Sequence, residues 1–97
     1  MFYELDSILH SQLRLAIMSL LMHVEEVNFR VIKEKTKATS GNLSIQINKL
    51  KDAGYIEVIK SFSNNYPQTN CRITQKGRDA FHTYVNALQS YIHPDKK

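Results

Sequence analysis

The chain has 97 residues, a formal net charge of +4 and a sequence pI near 9.3, which suits one core and a moderate lean toward polyanionic partners. Its 42% hydrophobic content, with five tyrosines and four phenylalanines, excludes a disordered chain, and the single Cys71 excludes an internal disulfide or a multi-thiolate zinc site. The longest apolar run, Ala16 to Met22, is broken by Ser19 and falls far short of the roughly 20 residues of a membrane span, while Glu4 and Asp6 stand where a secretory leader would be basic; a cytoplasmic protein with no membrane partner is expected.

Leu5 to Val24 carries a helical pattern. Leu9, Leu13, Ala16, Ile17, Leu20 and Val24 fall on one face, and Ile8, Leu15, Met18 and Met22 on the opposite one. A helix apolar on both sides calls for two partners, its own core and another subunit. Glu25 to Asn28 interrupts the pattern as a short strand. Asn28 then caps a second helix, Phe29 to about Lys35, anchored by Phe29 and Ile32.

After a turn over Thr36 to Thr39, Thr39 or Ser40 caps a third helix. Leu43, Ile47 and Leu50 recur at i, i+4 and i+7 and point inward, and Gly54 stops the helix as a residue free to take a left-handed conformation. Tyr55 to Phe62 and Thr69 to Thr74 alternate as two strands, with Ile56, Val58, Cys71 and Ile73 inward. Ser63 to Pro67 between them is turn chemistry, since asparagines accept positive φ where glycine is lacking. Thr74 caps a last helix, Gln75 to about Ile92. Phe81, Val85, Leu88 and Ile92 form one stripe on it, and Ala80, Tyr84, Ala87 and Tyr91 its neighbour. The tail from His93 to Lys97 is expected to be loose.

This order predicts an α+β fold, mainly α: a winged helix-turn-helix of three helices, a β-hairpin wing and a long C-terminal helix, in one domain over residues 1–97. Ser40-Gly41-Asn42-Leu43-Ser44, Lys49-Leu50, Ala53-Gly54-Tyr55-Ile56, Lys60-Ser61-Phe62, Pro67, Thr69 and Ile73-Thr74-Gln75-Lys76-Gly77-Arg78 resemble the small stand-alone winged-helix regulators related to the MarR group. The resemblance covers roughly Leu13 to Leu88. It implies a dimeric DNA-binding transcriptional regulator. The hairpin tip departs from it, carrying Asn64, Asn65, Tyr66 and Gln68 where that family often has basic residues.

The third helix is expected to enter the major groove, whose width of about 12 Å admits one helix. Its outward and N-terminal positions are Ser40, Gly41, Asn42, Ser44, Ile45, Asn48 and Lys49, with Gln46 at the margin. Asn48 and Gln46 suit adenine, Ile45 a thymine methyl, and Lys49 a guanine edge or a phosphate. Gly41 admits close approach of a backbone. Lys33, Lys35 and Lys37 form a basic patch on and after the second helix, and Lys60 and Arg72 are the cations nearest the wing; phosphate neutralisation is the role read for them.

The dimer seam is expected from the first and last helices: Ile8, Leu15, Met18, Met22, Tyr84, Ala87 and Tyr91. The rival use of these faces is packing of the two helices on each other within one chain. Asp79, His82 and His93 suggest a metal, yet the two histidines lie three turns apart, roughly 16 Å, too far to share one ion. No metal or other cofactor is expected. Cys71 reads as a small core hydrophobe. No paired carboxylates, nucleophile constellation or phosphate loop appears, so no enzyme is expected. The partners read from the chain are duplex DNA and a second copy of itself, with an unknown small-molecule effector left room only in the crevice between dimer and wing. The alternative of another class is a winged helix used for protein–protein interaction without DNA binding.

Overall fold

The computed structural model describes residues 1–94. Helices α1 (Gln12–Met22), α2 (Phe29–Thr36), α3 (Ser40–Asp52) and α4 (Gln75–Ile92) pack around strands β1 (Val27–Asn28), β2 (Ile56–Ser63) and β3 (Tyr66–Ile73). The strands form one antiparallel sheet in the order β1-β3-β2. This is the mainly helical winged helix-turn-helix that the sequence predicts. The expected looseness of the tail falls partly on residues 95–97, outside the described residues.

The first helix is shorter than its periodicity suggests, running Gln12–Met22 rather than Leu5 to Val24. Asp6 Oδ1 accepts the Ile8 and Leu9 N–H groups at 2.8 and 3.3 Å, which closes a local turn. Ser11 Oγ then caps α1 by accepting the Arg14 N–H at 3.4 Å. Short polar side chains that bond their own backbone compete with helix continuation, and two of them in this stretch decide the outcome. Residues before Gln12 instead run as an arm along α4. The Tyr3 N–H donates to Ser90 Oγ at 3.1 Å, the Tyr91 hydroxyl donates to the Tyr3 carbonyl at 2.8 Å, and His10 Nδ1 bonds the Tyr84 hydroxyl at 3.0 Å.

α2 and α3 begin and end for local reasons. Asn28 Oδ1 accepts the Arg30 N–H at 2.8 Å and Thr39 Oγ1 accepts the Asn42 N–H at 3.2 Å, each cap being worth about 1 kcal/mol. Lys37 closes α2 in the left-handed region at φ 59°. Gly54, at φ 80°, closes α3: the Gly54 N–H bonds the Lys51 carbonyl at 2.9 Å and the Tyr55 N–H the Leu50 carbonyl at 3.0 Å. That pair of bonds is a Schellman motif, which needs a residue free of the Cβ penalty.

The hairpin turns on Asn64 and Asn65 alone, at φ 52° and 67°, with Ser63 paired to Tyr66. Two positive-φ residues match the twist of the strands. β3 therefore starts at Tyr66, earlier than the expected Thr69, and takes Pro67 in opposite Phe62. Pro67 is tolerated because β1 reaches only Asn70 and Cys71, so at Pro67 the strand has an open edge. Thr74 caps α4, its Oγ1 accepting the Gly77 N–H at 3.0 Å. Leu9, Ile17, Met18, Leu21, Ile32, Leu43, Leu50 and Cys71 form the fully buried centre, where a large aliphatic side chain contributes roughly 1.5–3 kcal/mol by leaving water. The molecule is elongated, 56 × 25 × 21 Å. Among the described residues no helix is long and apolar enough to cross a membrane.

Candidate nucleic-acid interface

α3 divides along its length. Leu43, Ile47 and Leu50 enter the core, and Ser40, Gly41, Asn42, Ser44, Ile45, Asn48 and Lys49 are exposed. From Ser40 to Lys51 the helix has no acidic residue, and its only charges are Lys49 and Lys51. Ile45 is 55% exposed, an apolar residue on an otherwise polar face. A β-carbon built on Gly41 would meet nothing within 4 Å. Packing within the protomer therefore does not require a glycine there, and what it leaves is an open backbone at the start of the helix.

Gln46 sits at the margin and is held on both sides. Its Oε1 accepts from Arg14 Nη1 at 2.5 Å, and its Nε2 donates to Asn42 Oδ1 at 3.0 Å. An adenine contact by Gln46, as expected, would have to use the second N–H and the free lone pair of its amide, since one of each is engaged in this arrangement. Arg14 was not singled out by the sequence. Its partner lies on another element, a pairing that no local spacing signals.

The hairpin separates the two cations expected near the wing. Alternation along β2 puts Lys60 on the face of Ile56 and Val58, and Lys60 lines a cleft of about 320 Å³ with Thr69 of β3 and Ser44 and Asn48 of α3. Arg72 lies on the opposite face, where Nε donates to Glu57 Oε1 at 2.9 Å. That hydrogen bond and the Glu57 charge, with Glu26 and Glu25 adding to them, hold the guanidinium even more firmly protonated than usual. The phosphate role expected for Arg72 is thus displaced: its charge is answered by acidic neighbours, away from α3. Lys33, Lys35 and Lys37 are exposed on α2 and the following turn, beside the start of α3.

The residues expected at the dimer seam do not form one exposed surface. Met18 is 0% exposed, Tyr84 5% and Ala87 4%, all within the protomer's own packing, so the expectation that these three face a partner is corrected. Their second apolar face is covered by the protomer's own core and by the arm before α1. Ile8, Leu15 and Met22 are half-buried against the core, and Tyr91 is exposed. The apolar stripe left open on α4 is the neighbouring one, Val85, Leu88 and Ile92.

A second cleft, about 600 Å³, lies between the arm, the base of the hairpin and α4, with Asp6, Tyr55, Lys76, Asp79 and Tyr84 among its walls. The Tyr55 hydroxyl donates to Asp6. Burial first, then that hydrogen bond and the carboxylate's charge, push the Tyr55 hydroxyl up to about 12. The Lys76 ammonium stands 5.8 Å from the Tyr55 ring centre. Among the described residues no three His, Cys, Asp or Glu side chains come together as a metal-binding group.

Against known proteins, the family described as "Winged helix DNA-binding domain" matches residues 13–92. An uncharacterised protein of Methanocaldococcus jannaschii is 38% identical over 78 residues, covering 80% of this chain and 85% of that one. The structure of a transcriptional regulator homologue from Pyrococcus horikoshii OT3 superposes with a TM-score of 0.85 at 27% identity, over 92% of this chain and 88% of that one. Bacillus subtilis PadR, solved in complex with operator DNA, gives a TM-score of 0.69 at 17% identity, over 90% of this chain and 61% of that one. The last is a likeness of fold. The narrower likeness to the MarR group is not singled out by these matches.

Proposed function

The chain belongs to the winged helix DNA-binding domain family, and on that premise we propose that it is a sequence-specific transcriptional regulator that binds duplex DNA as a homodimer, with α3 in the major groove. The observation that carries the reading is the outward face of α3: polar, free of acidic residues from Ser40 to Lys51, open at Gly41, and flanked by Lys37 on one side and Lys60 on the other. Phosphate contacts from these lysines supply affinity and register, while Asn48, Ser44 and Ile45 supply base discrimination. Lys49 serves either. Operator DNA bound by the PadR neighbour supports duplex DNA as the partner class, and fold neighbours of that kind favour a PadR-like over a MarR-like affiliation.

The dimer is built on Val85, Leu88 and Ile92 of α4, the apolar line the protomer leaves open, with Tyr91 at its edge. Two α3 helices related by a two-fold axis then read half-sites about 34–36 Å apart. A small-molecule effector, if the regulator takes one, has the cleft beside Tyr55 as its room. Selection of bound sites from a random duplex pool tests the reading. It predicts enrichment of a symmetric pair of half-sites one helical turn apart, and a pool no different from its input contradicts it.

One observation favours the interaction-module alternative. The hairpin tip is uncharged from Ser61 to Cys71 and shows Phe62 at 77% and Tyr66 at 71% exposure. A protein that fails to bind mixed-sequence duplex at low salt while remaining folded and dimeric is the outcome that alternative requires.

A further inference from the structure

A guanidinium can only donate hydrogen bonds, whereas a side-chain amide has an oxygen that accepts and a nitrogen that donates. A guanidinium fixed against an amide therefore decides which way that amide points. Arg14 of α1 is held at its Nε by the Ile8 carbonyl, at 2.5 Å, and presents Nη1 to Gln46 at 2.5 Å. Gln46 must turn Oε1 to Arg14, so its Nε2 faces along the helix and donates to Asn42 Oδ1 at 3.0 Å. Asn42 is exposed one turn earlier on α3. With Oδ1 turned to Gln46, the Nδ2 donors are the part of Asn42 turned away from it.

We propose that Arg14, although outside the helix-turn-helix, is a positioning residue for base reading: through Gln46 it fixes the Asn42 amide so that a donor, not an acceptor, faces the DNA. This deepens the proposed function and rests on α3 being the groove helix. A donor at that point selects a base edge rich in acceptors, guanine with N7 and O6 first and thymine with O4 next, over cytosine, which offers a donor. The specificity of one base position is then set by a residue that touches no base. Arginine is suited to this because its fork serves the Ile8 carbonyl and Gln46 at once, which a single ammonium does not.

Two variants read the relay in opposite ways. Arg14→Ala frees the Gln46 amide to turn over, and preference at one position of the selected site should flatten by about tenfold. Gln46→Glu keeps the Arg14 contact but has no N–H to donate, so Asn42 turns its Nδ2 inward and its oxygen out. The preferred base at that position should then change from guanine or thymine to cytosine or adenine, whose exocyclic amines donate. A merely structural role for Arg14 or Gln46 would lower affinity for all sites alike. Site selection with wild type and both variants gives the first readout, and the same selected position in all three proteins would overturn the proposal. The second readout needs no DNA: side-chain amide resonances of Asn42 and Gln46 in the free protein should both shift in Arg14→Ala. Shifts there with no site enrichment by wild type would sink the DNA reading but leave the relay standing as structure, and shifts in neither residue overturn the relay itself.

Discussion

Gly77 of α4 lies so close to Tyr55 that a β-carbon built on it would stand 2.1 Å from the Tyr55 carbonyl oxygen. That oxygen also accepts the Thr74 N–H at 3.0 Å. The base of the hairpin and the start of α4 are thus joined backbone to backbone. Gly77→Ala should destabilise the protein by roughly 2–3 kcal/mol despite alanine's better helix propensity, because neither backbone can yield. Thermal and urea unfolding measure this, and an unchanged midpoint would contradict the contact.

Gly41 behaves oppositely. Alanine there meets nothing in the protomer, so Gly41→Ala should leave the fold as stable or raise its stability by up to about 1 kcal/mol. Binding to duplex DNA should weaken, since the added methyl stands on the exposed start of α3. Unfolding and binding measured on the same preparation separate the two effects. A variant that binds as tightly as wild type removes Gly41 from the interface.

Burial pushes the Cys71 thiol from its ordinary 9.0 up to about 11. Well below pH 9 the thiol is neutral whether folded or unfolded, and the stabilisation from keeping it buried is fully present. As pH rises through 9 toward 11 the unfolded thiol ionises first, beginning somewhat below 9, so that stabilisation is lost, by about 1 kcal/mol from pH 8.5 to 10. Urea midpoints over that span should decline, and decline less in Cys71→Ala. Equal slopes in the two proteins would show that Cys71 is not the group responsible.

Leu88 stands in the open stripe of α4, with Val85 and Ile92 on the same side. Leu88→Asp should give a folded monomer where wild type sediments as a dimer, because a carboxylate in an apolar seam loses its water without a partner. A Leu88→Asp protein that remains dimeric would move the seam elsewhere.

The local parts of the fold were legible because their causes are local. Asn28, Thr39 and Thr74 each cap the helix that follows, as short polar residues before an apolar stripe do. Gly54 ends α3 through a conformation that side chains resist. The arm before α1 carries a helical rhythm in Leu9 and Leu13 yet is not helix, because Asp6 and Ser11 supply rival bonds. Arg72 could have been placed correctly: a hairpin centred on Asn64 and Asn65 puts Glu57 opposite Arg72. The Arg14–Gln46 contact joins α1 to α3 across the tertiary fold, and nothing in their spacing announces it. Periodicity identified two apolar stripes on α4 but not which of them the arm would cover.

The central claim is that α3 reads sequence while its flanking lysines hold phosphates. Equilibrium binding of one selected duplex and one shuffled duplex, titrated over salt, measures both at once. Wild type should prefer the selected site and lose affinity on both duplexes by roughly 0.9 log unit per log unit of salt for each phosphate neutralised. Asn48→Ala should weaken the selected site more than the shuffled one, whereas Lys37→Ala should weaken both alike and reduce the slope by about one. Equal affinity of wild type for the two duplexes, or binding insensitive to salt, would contradict the account.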